Sequence, residues 1–200
     1  MDNATVAVDK EDRLALFVTV GVAALVAIAA LVTGVSRLVE VAPGSDVPVR
    51  ISLEGETTVL DLEHSAATPV ELETGVVTVA EPSITTMAAS IAEPVIVTLA
   101  IVAGALIVAI VLIRLARGTA LARRTYLPIY VLAVITLVAG LASGFLNGVA
   151  SSSALADLGG SDALHLSLSL VPVFASLAIA AVGVAFEAAH RLSKDTEGLV

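Results

Sequence analysis

Three pairs of carboxylates spaced two residues apart, Glu54 with Glu56, Asp61 with Glu63 and Glu71 with Glu73, are the densest set of chemically competent side chains in this sequence. On extended backbone, residues i and i+2 project from one face, so each pair would present two carboxylates side by side. Oxygen-rich surfaces of that kind suit hard cations such as calcium, but a dedicated calcium loop needs Asp, Asn and Gly at fixed offsets that this stretch lacks. The solvated outer face of a small sheet accounts for the pairs instead. His64 and His165 fall in polar stretches with serines nearby, without the nucleophile elbow of a hydrolase. Cysteine is absent, which removes thiolate nucleophiles, disulfides and cysteine metal sites. No catalytic, cofactor-binding or metal-ligating set is expected, and the chain is expected not to be an enzyme.

The elements that hold these residues follow from hydropathy. With 58% hydrophobic residues and a mean hydropathy of +1.01, the chain is more apolar than soluble domains, whose apolar share is about 45–50%. Four Val/Ala/Leu-rich stretches at 14–37, 93–113, 126–146 and 165–186 are predicted transmembrane helices. About twenty helical residues cover the roughly 30 Å hydrocarbon core, and lipid offers backbone amides no partner outside their own helix. The net charge of −9 is concentrated in the segment 38–92, where nine acids face the single base Arg50 for a net of −8. The linker 114–125 carries Arg114, Arg117, Arg123 and Arg124 and no acid, which marks it as the cytoplasmic topology signal. Lys10, Arg13, Arg191 and Lys194 fall on the same side, leaving only Arg37 and Arg50 opposite. Both termini are therefore expected in the cytoplasm, with the chain in the cell membrane. Acids at Asp9, Glu11 and Asp12 and the length of the first apolar run argue for an uncleaved anchor rather than a signal peptide.

Between the first two spans the period changes. Val47, Val49, Ile51 and Leu53 alternate with polar residues, as do Leu60 and Leu62, Val70 and Leu72, and Val77 and Val79, which predicts three or four short strands. The fold class is thus an all-α membrane protein of four transmembrane helices, with a small extracytoplasmic antiparallel β segment between helices 1 and 2 that leans on the membrane-proximal helix ends. The leader 1–13, the acidic segment 38–92, the basic loop 114–125, an external Ser/Gly-rich loop 147–164 holding Asn147, Asp157 and Asp162, and the tail 187–200 complete the layout. Tyr126 and Tyr130 are expected as interfacial anchors. Gly140, Gly144 and Gly148, beside Ser143, form a tandem small-residue run for close helix packing, either against a neighbouring span or as a homo-oligomer face. Ala100 with Gly104, and Ala30 with Gly34, are its expected counterparts. No charge is expected in the middle of a span; the nearest groups are His165 and Glu187 at the two ends of the fourth, where Pro172 is expected to kink the helix, with Ser167 and Ser169 taking up the freed backbone groups. The polar groups at mid-depth are Thr98, Thr136, Ser143 and Ser176.

After the fourth span the helix is expected to continue, because Glu187/Arg191 and Arg191/Asp195 are i, i+4 ion pairs and Gly198 is a helix stop. Phe186, Leu192, Asp195, Glu197, Gly198, Leu199 and Val200 follow a pattern of a phenylalanine, a leucine and an acidic stretch closing on a short apolar end. That end resembles the C-terminus of a bacterial four-pass membrane family, domain of unknown function 2975, whose long first external loop is also similar. Ala189 stands where that family usually has glycine, and Glu187 where a basic residue is common. The resemblance implies no known activity; it implies a membrane partner in regulation, with the tail residues Leu192, Asp195, Glu197, Gly198, Leu199 and Val200 as the partner-binding site. The expected partners are the lipid bilayer and a cytoplasmic regulatory protein, and no nucleic acid. A non-enzymatic sensing or regulatory protein is expected, with a small-solute transporter or its accessory subunit as the alternative.

Overall fold

Apolar runs of this length leave the backbone one way to satisfy its own amides, and four helices result. The structure, a computed structural model, describes residues 10–52, 57–60, 68–71, 74–116, 126–159 and 169–197. Helices α1 (Lys10–Val41), α2 (Ile84–Ala116), α3 (Tyr126–Asp157) and α4 (Val171–Glu197) each contain a segment long and apolar enough to cross a membrane, as a multi-pass membrane protein requires. Between α1 and α2 lie four strands, β1 (Val47–Ser52), β2 (Thr57–Leu60), β3 (Thr68–Glu71) and β4 (Thr74–Val79). The expected fold class is thus present.

The helices are longer than lipid demands. At about 1.5 Å per residue, the 32 residues of α3 run about 48 Å, against a hydrocarbon core of about 30 Å. α2 starts at Ile84, well before the expected 93, and residues 147–157, read as loop from their serines, continue α3 through Asp157. Serine is only a mild helix breaker, and packing overrides it here, since Ala150 and Ala154 are buried in a core. The fourth helix begins at Val171, not at 165, so Pro172 sits in its first turn, where a missing N–H costs nothing, and does not kink the helix interior. Ser169 Oγ accepts a hydrogen bond from the Val171 N–H (3.3 Å) ahead of that turn; Ser167 lies outside the described residues.

The chain divides into two compact units. The sheet unit, Val35–Val95 with Ala142–Leu168, is built on two antiparallel ladders. β1 pairs with β4, Val47 opposite Val79, and β2 with β3, Thr57 opposite Glu71. Four residues separate β1 from β2 but two separate β3 from β4, so the second ladder is offset by two positions from the first. A two-stranded ribbon is marginal by itself. Its inner face supplies Val47, Val49 and Val79 to a core completed by Val41, Ala89, Ala150 and Ala154, with Leu146 and Val149 packed alongside. The turn from α1 into β1 holds Gly44 in the left-handed region (φ 72°), which favours glycine, and a Cβ there would come 2.8 Å from Met87 Cε.

The helical unit comprises Met1–Gly34, Ile96–Leu141 and Ser169–Val200. It is joined by small residues. A Cβ at Gly34 would collide with the Thr98 hydroxyl, one at Gly140 with the Pro172 ring, and one at Gly104 would come 3.2 Å from Leu132. The face of α3 at Gly140 meets α4, which was not among its expected counterparts, while Gly104 of α2 takes Leu132 of α3 and Gly34 of α1 takes Thr98 of α2. Large apolar side chains point outward, among them Leu25 (68% exposed) and Val32 (65%) on α1, a surface suited to hydrocarbon rather than water.

Candidate functional site

Among the described residues, three groups of polar side chains tie elements together, and each includes a contact between residues far apart in the sequence. The first caps α2. Ser83 occupies the position before the first helical residue, and its Oγ accepts from the Thr86 N–H (3.3 Å), the usual N-cap bond to the third residue of a helix. In a capping box the third residue would return a carboxylate to the cap's own N–H. Here Asp157, the last residue of α3, supplies it, accepting from the Ser83 N–H at 2.9 Å and from the Thr86 hydroxyl at 2.7 Å. Thr86 is fully buried and has one hydroxyl proton. The carboxylate bond takes that proton because it is charge-assisted, which makes Ser153, 2.8 Å away, the donor to Thr86. Ser83 Oγ closes the network at 3.0 Å from Ser153 Oγ. Asp157 lies eleven residues beyond 146, in the exposed part of the sheet unit. The Ser83 backbone N–H, and after it the Thr86 hydroxyl, hold its carboxyl below the ordinary aspartate range against the opposing effect of desolvation. A negative charge at the N-terminus of α2 also meets the favourable end of that helix's dipole.

The second group is a carboxylate within α2. Ser143 donates to Glu93 Oε1 at 3.1 Å, joining α3 to α2, and both residues are half-buried. Since α2 begins at Ile84, Glu93 falls inside a helix that can cross a membrane, next to the interior proline Pro94. Glu93 opens the expected span 93–113 and is the tenth residue of the longer helix found, a carboxylate absent from the groups expected near a span. The other mid-depth hydroxyls are occupied locally: Thr136 donates to the Leu132 carbonyl (2.9 Å), Ser176 to that of Val173 (2.8 Å), and Thr98 lies against Gly34.

The third group fastens α3 to α4 in the helical unit. The Tyr130 hydroxyl donates to Glu187 Oε2 (3.1 Å), while Arg191 donates to Glu187 Oε1 (2.6 Å). Gly183 makes room for the Tyr130 ring, since a Cβ there would come 3.0 Å from Cε1. Tyr126 meets Tyr130 edge to face with centroids 6.2 Å apart. Tyr130 is thus a cross-helix fastener as well as an aromatic side chain near the start of α3, and the expected Glu187–Arg191 pair is formed. Arg191 is 74% exposed, so solvent screens the pair and it contributes little to stability.

The remaining predicted residues are dispersed. Gly140 and Gly144 are half-buried and Gly148 buried, all within α3. Arg114 lies in the last turn of α2; Arg117, Arg123 and Arg124 fall outside the described residues, as do Asp61, Glu63, His64, Asp162, His165, Gly198, Leu199 and Val200. The backbone of α4 runs on through Asp195 and Glu197, with Leu192 67% exposed. Among the described residues, no group of three or more His, Cys, Asp or Glu could hold a metal ion. Comparison with known protein families, with characterised proteins and with solved structures finds no match to this chain.

Proposed function

We propose that this chain is a non-enzymatic, multi-pass protein of the cell membrane that acts as a sensing or regulatory partner, with both termini in the cytoplasm. The observation that carries this reading is α4 itself, which runs unbroken from Val171 to Glu197 and carries an exposed Arg191 and Leu192 past its fastening point at Glu187. A helix that leaves the bilayer already folded and tied at its root presents a partner with an ordered surface, so binding requires little further loss of chain entropy. The arginines of 114–125 support the orientation, and the resemblance of the tail to the four-pass family supports the regulatory role. A cytoplasmic regulatory protein docks on Leu192 and the residues after it.

The absence of native cysteine makes the test clean. Asp61→Cys and Gly118→Cys are labelled in intact cells with a membrane-impermeant maleimide, and a photocrosslinker is placed at position 192. Labelling of position 61 alone, with one discrete protein adduct at 192 that disappears when residues 196–200 are removed, is the expected outcome. Labelling of both positions from outside refutes the topology; lipid adducts alone at 192 refute the docking role.

A further inference from the structure

We propose that Glu93 and Ser143, with the backbone carbonyl of Ser90, form a binding site for a small exchangeable monovalent cation, sodium. Three observations converge on it. Glu93 is a half-buried carboxylate in a helix able to cross a membrane, where an uncompensated charge costs at least a few kcal/mol. Ser143 gives it one hydrogen bond at 3.1 Å, whereas an ionised carboxylate offers about four lone-pair directions. Pro94, inside α2, has no N–H, so the carbonyl of Ser90 four residues back is deprived of its helical donor on the same turn as Glu93. A carboxylate, a hydroxyl and a released carbonyl are the oxygen donors that hard cations take.

Among the described residues, no fixed positive charge is paired with Glu93. The only basic residue in α2 is Arg114, 21 positions further on, and α3 contains no Lys, Arg or His. Within the sheet unit Arg37 is paired with Glu40 at 3.2 Å, and Arg50 is exposed on β1. Besides Glu93, the acids of that unit with described side chains are Glu40, Asp46, Glu81 and Asp157, so its described charge is net negative. A mobile cation is left to neutralise the site. This inference stands apart from the tail's role and survives or fails independently of it.

The full-length protein in nanodiscs is melted in sodium chloride and in N-methylglucamine chloride at equal ionic strength. At sodium about a hundredfold above Kd, Tm is expected to rise by roughly 5–10 °C. A sodium shift that Glu93→Gln abolishes and Ser143→Ala reduces identifies sodium. No sodium shift in the wild type overturns the site. Should Glu93→Gln not yield folded protein, Pro94→Ala restores an N–H to the Ser90 carbonyl while keeping the carboxylate, and is expected to weaken the same response. Wild-type sodium response of Glu93→Gln, or of Pro94→Ala and Ser143→Ala together, likewise overturns it.

Discussion

The sheet unit and the helical unit are held together by opposite uses of the same few residue types. In the sheet unit Val41, Val47, Val49 and Val79 turn inward onto Ala89, Ala150 and Ala154, and hydroxyls with one carboxylate stitch the periphery. That is the arrangement water imposes, with apolar area removed from solvent and polar groups paired. In the helical unit the large side chains face out and glycines face in, against Thr98, Leu132, Pro172 and Tyr130. Lipid is as apolar as leucine, so burying leucine gains nothing there and close backbone approach supplies the dispersion energy instead. Valine is therefore a core residue in one unit and a solvent-facing residue in the other, and only the position of each valine relative to lipid decides which.

The largest break in that contrast is expected at Val47, which is fully buried between the ribbon and the helices of its own unit. Val47→Asp places an unpaired charge in that core and should cost more than about 4 kcal/mol, enough to unfold the ribbon. Rapid proteolysis within 38–92, with the helical spans still protected by detergent or lipid, is the expected readout; unchanged proteolysis would show that the valine core does not hold the ribbon. Next in size is Gly140→Leu, which must displace the Pro172 ring and should destabilise by roughly 1–3 kcal/mol as other overpacked sites do. Gly21 is its control, because nothing lies within 4 Å of its Cβ position. Gly21→Leu should leave thermal unfolding in detergent unchanged or slightly raised, and equal losses at the two positions would refute the small-residue account of helix packing.

How much of this is legible in the chain depends on whether the cause is local. The four spans follow from uncharged runs about one bilayer long, and the alternation of Val47, Val49 and Ile51 with Pro48, Arg50 and Ser52 marks a strand whose buried face is the one found. The Glu187–Arg191 pair is one helical turn and is equally plain. What sequence does not show is long-range. Asp157 meets Ser83 across 74 residues, Tyr130 meets Glu187 across 57, and Ser143 meets Glu93 across 50. No spacing rule encodes such pairs. Residues 147–157 read as loop because three serines in a row favour turns, while the alanines at 150 and 154 that pin them as helix are one turn apart on a face whose partner is distant. Two signals were nonetheless present for the rest. Pro172 falls just after the Ser/Gly-rich stretch, where a proline opens a helix more readily than it kinks one. Pro94 directly after Glu93 hides a carboxylate at what looks like a span's start, although the apolar residues before it continue the run upstream.

The smallest effect expected concerns Asp157, whose carboxylate joins the end of α3 to the start of α2. Because hydrogen bonding lowers its folded-state pKa below the ordinary aspartate value of 3.8, its contribution is fully present above that value and is lost as pH falls through the lower, folded one. Stability of the sheet unit should therefore be flat from neutral pH down to about 4 and decline below it. Asp157→Asn keeps an acceptor oxygen for the Ser83 N–H and the Thr86 hydroxyl but cannot ionise. It should sit slightly below wild type at neutral pH and converge on it in acid. Hydrogen-exchange protection of the first turn of α2, followed across that range, separates this capping role from a general acid effect: the other exposed acids act on the ribbon as well, whereas only Asp157 reaches the Ser83 amide. If protection there falls with acid to the same extent in the variant, the carboxylate is not what caps α2.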